Sequence, residues 1–163
     1  MIKMIRIDDR LIHGQVALVW SRELNIDRLI VANDTISKND MQKTVLEMAA
    51  PESVKTLIID VDTAIRLVND PRSERLKIFI VVNTPQDMRR LAQGINGQLN
   101  LNVANYGRIS DNLSTKTKVA DTVYLTPDDF DEFKTIFEIG HEITYQPLPS
   151  DSARALKNML EGK

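Results

Sequence analysis

Residues 77–85 read KIFIVVNTP, and this stretch decides the fold class. Lys77 to Val82 is a run so apolar that, as a strand, it is buried on both faces. Thr84 then caps a helix, and Pro85 takes the first helical position, where its missing N–H costs nothing. A doubly buried strand running straight into a helix is the unit of a parallel sheet covered on both sides. The same alternation extends in both directions. Upstream, Met4–Ile7, Arg28–Ala32 and Val54–Ile59 read as strands. Between them lie helical patterns at Gln15–Leu24, from Ser37 to Ala50, and over Val61–Val68. Val16, Val19 and Trp20 share the apolar face of the first helix, and Met41, Val45 and Met48 line one side of the second. Ser37 is the candidate cap of that second helix, and Pro51 ends it. Downstream, Leu99–Val103, Val119–Leu125 and Glu142–Gln146 read as strands five to seven. Thr126 caps a helix with Pro127 first, acids in its first turn and Gly140 at its end, and Ser152–Leu160 closes the chain as a helix. The expectation is one α/β domain over residues 1–163, with a mostly parallel sheet of about seven strands and helices on both faces.

Composition narrows the function classes. The chain has 163 residues, a net charge of −2, 42% hydrophobic and 27% charged residues, and no cysteine. A general nucleic-acid binder would carry a basic surface, and none is suggested here. Thiol chemistry, disulfides and thiolate metal sites are excluded. No run of about 20 apolar residues exists to span a bilayer, and the N-terminus becomes charged too early for a signal peptide. The chain is therefore expected in the cytoplasm, with no direct membrane insertion.

In a parallel sheet, ligands bind outside the carboxyl ends of the strands. The loop after the first strand, Asp8 to Gly14, holds one of only two histidines, His13. A helix starts directly after it, so backbone N–H groups around Gly14 and Gln15 lack intrahelical partners and favour an anion. Arg10 can offer bidentate hydrogen bonds to phosphate oxygens. A neutral imidazole beside an anion site is well placed as a nucleophile whose product is a phosphohistidine. Asp9 is the candidate to accept the other ring N–H and fix the tautomer. Arg6, on the strand, reads as a salt-bridging residue, and His141 reads as surface structure.

The contiguous segment RIDDRLIHGQV, Arg6 to Val16, resembles the phosphorylation-site motif of enzyme IIB components. These belong to the mannose/fructose/sorbose family of the bacterial phosphoenolpyruvate-dependent sugar phosphotransferase system. The similarity extends over nearly the whole chain, through VWSRELNIDRLIVANDTISKNDMQKTVLEMAAP, VYLTPDDFDEFKTI and GHEITYQPLPSD. The resemblance implies that His13 accepts a phosphoryl group on Nδ1 from a phosphohistidine of a IIA domain. It implies that His13 passes the group to a sugar delivered by membrane IIC and IID subunits, with Arg10 steadying it. No metal or nucleotide cofactor is implied, and the protein would associate only peripherally with the membrane transporter. One departure falls at Ala104-Asn105-Tyr106-Gly107, where the family carries a double glycine; Tyr106, Gly107 and Arg108 there are candidates for the pocket or partner loop.

Two other classes compete. A receiver-like domain phosphorylated on aspartate would use Asp8 and Asp9, Asp60 and Thr84, but the lysine expected after strand five is absent from NVANYG. A small-ligand binding module without transfer chemistry would leave His13 idle.

Overall fold

The computed structural model describes residues 1–109 and 113–163, with the side chains of Gln15 and Val16 also outside the description. Nine strands and six α-helices alternate along the described chain. Strands β1 (Ile2–Asp8), β2 (Arg28–Ala32), β3 (Lys55–Ile59), β4 (Ile78–Val82), β5 (Leu101–Asn105), β8 (Ile143–Tyr145) and β9 (Arg154–Ala155) build one seven-stranded sheet. Its order is β3-β2-β4-β1-β5-β8-β9, parallel throughout except for the antiparallel β8–β9 pair.

β4 is buried at every position and lies between β1 and β2, as its sequence requires. Alternation along the strands feeds two cores. Met4, Leu29, Val31, Phe79 and Val81 face helices α1 (Gly14–Glu23) and α2 (Asp40–Ala49), where Trp20 and Leu46 meet them. Ile5, Ile7, Ile30, Ile80 and Val82 face the opposite way, against α3 (Val61–Asn69), α4 (Pro85–Gly94) and α5 (Pro127–Ile139). The short α6 (Leu156–Leu160) closes the described chain, with Leu156 fully buried.

Several local expectations change. The apolar stretch Val119–Leu125 is not one strand of the sheet. It divides at Asp121–Thr122 into β6 (Thr117–Ala120) and β7 (Val123–Leu125), an antiparallel hairpin beside the sheet. The seventh place in the sheet is filled instead by β9, taken from the start of the expected closing helix. Ser37 lies in a 3-10 turn, and Asn39 caps α2, its side chain accepting the Gln42 amide at 3.0 Å. Met41, Val45 and Met48 face outward at 79%, 62% and 81% exposure, so the buried contact of α2 is Leu46. Val19 on α1 is also exposed, while Trp20 is buried; the expected role of Val16 lies outside the described side chains.

The cap readings hold at α4 and α5. Thr84 Oγ1 accepts the Asp87 amide at 3.1 Å, and Thr126 forms a reciprocal capping box with Asp129. Gly140 ends α5 in the left-handed conformation, φ 110°. Thr126→Ala removes one half of the box, and we expect a loss of about 1 kcal/mol in unfolding free energy. Urea denaturation should show a lower midpoint at an unchanged slope.

Candidate active site

β1 and β5 are adjacent parallel strands whose connections depart to opposite faces: the chain leaves β1 for α1, and leaves β5 for the hairpin and α5. Such a divergence opens a crevice at the carboxyl ends of the strands. The loop 9–13 forms one side of it and the segment from Asn105 to Ile109 the other. A cleft of about 260 Å³ between them is lined by Asp9, Arg10, Asn105, Arg108 and Ile109.

β1 aims two polar side chains into the α1 side of the sheet. Met4, Arg6 and Asp8 share that face, and Arg6 and Asp8 are 2% and 1% exposed. Burying such a pair costs heavily unless every charge is met. Arg6 Nη2 lies 3.5 Å from Asp8 Oδ2. The guanidinium also donates to Asn102 Oδ1 (2.8 Å), the Gln146 carbonyl (3.2 Å) and the Pro147 carbonyl (2.9 Å). It stands 5.5 Å from the centroid of the Trp20 ring, whose own Nε1 donates to Pro147 at 2.8 Å. Burial pulls the Arg6 guanidinium down to about 10, so it stays charged at neutral pH. The salt-bridging role expected for Arg6 is what the structure shows.

Asp8, not Asp9, holds His13. Asp8 Oδ2 lies 3.0 Å from His13 Nε2, and Asp8 Oδ1 accepts the Arg10 amide at 3.1 Å. Burial alone would raise the Asp8 carboxyl, but the bonds from His13 and Arg10 and the charge of Arg6 bring it below its ordinary value. An ionised Asp8 accepts only, so Nε2 carries the ring proton and Nδ1 of the neutral ring carries the lone pair. Asp9 turns the other way. Its Oδ2 accepts the Gly107 amide at 2.8 Å, stapling the β1 loop to the β5 loop. Burial, reinforced by the charge of Asp8, raises the Asp9 carboxyl against the opposing Gly107 and Arg108 amides. The signal that separates the two acids was in the sequence. Asp8 continues the Met4–Arg6 alternation onto the α1 face, where the loop returns, whereas Asp9 falls beyond the strand.

His13 is the N-cap residue of α1, in extended conformation, and its side chain makes no capping bond. The ring is 19% exposed. Leu11 and Gly14 both have positive φ, 58° and 46°. Leu11 and Ile12 are buried, which anchors the loop and pays for the left-handed Leu11. The helix that follows leaves its first amides, Gly14 and Gln15 included, without intrahelical partners. The Gln15 side chain lies outside the description.

Arg10 is exposed at the cleft, as is Arg108, whose Nη1 reaches the Asp121 carbonyl at 3.4 Å. Tyr106 is not among the residues that line the cleft; its hydroxyl donates to the buried Asp129 at 3.0 Å, linking the end of β5 to the cap of α5. Burial, and then the Asp129 charge, push that hydroxyl well above its ordinary range. Gly107 is required by space, since at φ 89° a Cβ would collide with the Tyr124 carbonyl. His141 is buried, not superficial, and its Nδ1 has no hydrogen-bond partner among the described residues. It stands just before β8, at the amino end of the parallel strands and away from His13.

The receiver-like arrangement does not form. Asp60 follows β3 at the edge of the sheet, while Asp8 ends β1 and Asp9 follows it, with β2 and β4 between. Three strand spacings put the two positions roughly 14 Å apart, too far to share one ion.

Comparison with known proteins places the chain in a family. The family model for the sorbose subfamily IIB component of the phosphotransferase system matches residues 2–163. A probable phosphotransferase enzyme IIB component of Streptococcus pyogenes serotype M6 is 38% identical over 162 residues, 98% of this chain and 99% of that one. The sorbose-specific EIIB component of Lacticaseibacillus casei is 35% identical over 92% of this chain and 89% of its own length. The crystal structure of the IIBSor domain of the Klebsiella pneumoniae sorbose permease superposes with a TM-score of 0.89 at 26% identity. That superposition covers 98% of this chain and 95% of the domain. The chain belongs to the sorbose subfamily of phosphotransferase-system IIB components. It is a phosphotransferase of sugar transport, one component of a system with several. The mannose-specific EIIAB component of Escherichia coli K12 is 31% identical over 98% of this chain, which spans 48% of that protein. Among the described residues no helix is long and apolar enough to cross a membrane.

Two outcomes follow from the Asp8 carboxylate and from the Gly107 backbone. Asp8→Asn leaves Arg6 buried without its counter-charge, and we expect a loss of roughly 3 kcal/mol at pH 7. Because folding lowers the carboxyl of Asp8, its contribution is present above the unfolded value near 4 and is lost as pH falls through the folded one. The stability curves of wild type and Asp8→Asn should therefore begin to approach each other below about pH 4 and meet only below the lower, folded value. Gly107→Ala should cost more than about 2 kcal/mol through strain at positive φ and the Tyr124 collision. Thermal melts of Asp8→Asn and Gly107→Ala at pH 7, and of wild type and Asp8→Asn from pH 7 down to about pH 3, give these comparisons.

Proposed function

We propose that His13 is the phosphoryl-carrying residue and that residues 1–163 act as one IIB unit. The observation that carries this reading is the 3.0 Å contact between His13 Nε2 and the buried Asp8. It leaves Nδ1 as the nucleophilic nitrogen of a neutral ring, at the start of a helix and beside an exposed arginine.

The donor is a phosphohistidine of a IIA domain, and the acceptor is a hydroxyl of a sugar held by membrane IIC and IID subunits. The fusion of A and B parts named in the Escherichia coli mannose-specific EIIAB relative supports the first of these partners. In the first transfer the His13 Nδ1 lone pair attacks phosphorus in line. The bond from phosphorus to the donor nitrogen breaks, and its electron pair returns to the donor ring. His13 is now a phosphorylated ring bearing positive charge, with Nε2–H still donated to Asp8, and the Asp8 carboxylate stabilises that charge. Arg10 and the amides of Gly14 and Gln15 meet the phosphoryl oxygens, with Arg108 at the far side of the cleft. In the second transfer the sugar hydroxyl oxygen attacks phosphorus and gives up its proton to a base on the sugar-holding subunit or to solvent; the His13–phosphorus bond breaks, and its electron pair returns to Nδ1 to restore the neutral ring. Asp9 sets the separation of the two loops and does not touch the imidazole.

Two sequential partners must meet the same histidine, so each contact is transient, with an interface at or below about 1,600 Å². The protein works beside the membrane through those partners.

The test incubates the protein with phosphoenolpyruvate, the general phosphotransferase proteins and a family IIA domain, and follows intact mass. The expected adduct is one phosphoryl group, lost in acid, retained in alkali and absent in His13→Ala. An adduct that persists in His13→Ala overturns the assignment. Arg10→Ala should retain the acceptor but slow transfer roughly ten- to hundredfold, the value of a lost charge-assisted hydrogen bond of about 1.5–3 kcal/mol. An unchanged rate removes Arg10 from the phosphoryl site.

A further inference from the structure

The register of β1 against β5 shifts at the site itself. Arg6 pairs with Asn102 and Ile7 with Val103, but Asp8 pairs with Asn105, so Ala104 is passed over. An extra residue of this kind re-aims the side chain that follows it. Here it brings the Asn105 carboxamide to Asp8, with Nδ2 3.5 Å from Asp8 Oδ2. The backbone around it is tied to the β1 loop. The Asn105 carbonyl accepts the Asp9 amide at 2.9 Å, and the Gly107 amide donates to the Asp9 carboxylate at 2.8 Å. Asn105 also lines the cleft, with Arg10 and Arg108. Its side chain therefore stands between the cleft and the carboxylate that holds His13.

The oxygen that Asn105 reaches is the one bonded to the ring. Asp8 Oδ2 lies 3.0 Å from His13 Nε2 and 3.5 Å from Arg6 Nη2, while Oδ1 takes the Arg10 amide. Three donors converge on one oxygen of a carboxylate that is 1% exposed. In so dry a place, charge drawn by one donor is not replaced by water, so donors to one acceptor compete. Arg6 is needed there to balance a buried charge. Asn105 is neutral, and its contact leaves the charge balance as it is. What it changes is how much of the Oδ2 charge remains for the imidazole. A phosphorylated His13 ring is cationic, and Asp8 stabilises that cation. The more of Oδ2 that is committed elsewhere, the more readily the nitrogen–phosphorus bond is given up.

We propose that Asn105 is a positioning residue for phosphoryl release, sharing the Asp8 oxygen that holds His13 Nε2–H and so limiting how firmly the phosphorylated ring is stabilised. The inference rests on His13 as the phosphoryl carrier. No bond to Asn105 forms or breaks in either transfer; the carboxamide acts through Asp8.

The test compares wild type with Asn105→Leu, which keeps the size of the side chain and removes its donor, and with Asn105→Ala. Two quantities are measured on the full chain. The first is the Nε2–H proton resonance of unphosphorylated His13, which should move downfield in both variants as Asp8 turns wholly to the ring. The second is the exchange equilibrium with a phosphorylated family IIA domain, read as phosphorylated fractions by intact mass. It should shift toward His13 by at least about threefold in both variants, with slower hydrolysis of the phosphorylated protein. An unchanged resonance or an unchanged equilibrium, in variants that still take up the phosphoryl group, overturns the role of Asn105 and leaves that of His13 standing. A shift toward the IIA domain also overturns it, and would mean that Asn105 holds the phosphoryl group directly. A wild type that takes up no phosphoryl group on His13 overturns both readings.

Discussion

The buried pairing of Arg6 with Asp8 is the constraint around which the site is arranged. A carboxylate that is 1% exposed survives only if its desolvation is repaid, and here the repayment comes from several directions at once. Arg6 supplies charge, the Arg10 amide fixes the loop, and His13 supplies the ring N–H. Arg6 is in turn held by Asn102 on β5 and by carbonyls at Gln146 and Pro147, after β8. The orientation of the histidine thus depends on strands far apart in sequence. It also depends on α1, because Trp20 both faces the Arg6 guanidinium and donates to Pro147. A disturbance in the 146–147 segment would reach the imidazole through two hydrogen-bonded side chains.

Adjacent aspartates in one loop acquire different tasks through environment alone. Asp8 is buried yet stabilised as an anion, because donors surround it. Asp9 is raised instead, because burial and the negative charge of Asp8 outweigh the Gly107 and Arg108 amides and the charge of Lys116. One aspartate fixes a proton on a ring; the other fixes the spacing of two loops. Gly107 belongs to the second task. Its amide serves Asp9, its backbone conformation is left-handed, and its Cα faces Tyr124 too closely for a side chain. A single glycine at this point is enough for that close approach.

The helices are not equally anchored. α5 buries Phe133 and Ile136 fully and is capped at both ends. α2 has one buried residue, Leu46, an Asn39 cap and an outward stripe of Met41, Val45 and Met48. Its position is set more by the strands it connects than by its own apolar face.

The order of strands and helices, the doubly buried β4, the caps at Thr84 and Thr126, the Gly140 stop and the loop carrying His13 were all legible in the chain. These features are written in local chemistry: hydrophobic period, proline and glycine conformation, and side chains that reach amides three residues away. What the sequence could not settle was every choice between nearly equivalent neighbours. Met41, Val45 and Met48 have helical spacing, but only the assembled fold determines whether anything lies against them. Val119–Leu125 has strand propensity, but whether it joins the sheet depends on the edge left beside β5. His141 is one polar residue after a helix stop, and its burial is decided by what packs over it. The partner of His13 was within reach of alternation along β1, yet its full role required Asn102, Gln146 and Pro147 to arrive from the other side of the sheet. Local chemistry determined which elements form and where His13 stands. The tertiary structure decided which carboxylate holds it, because a buried charge is tolerable only where distant groups converge to satisfy it.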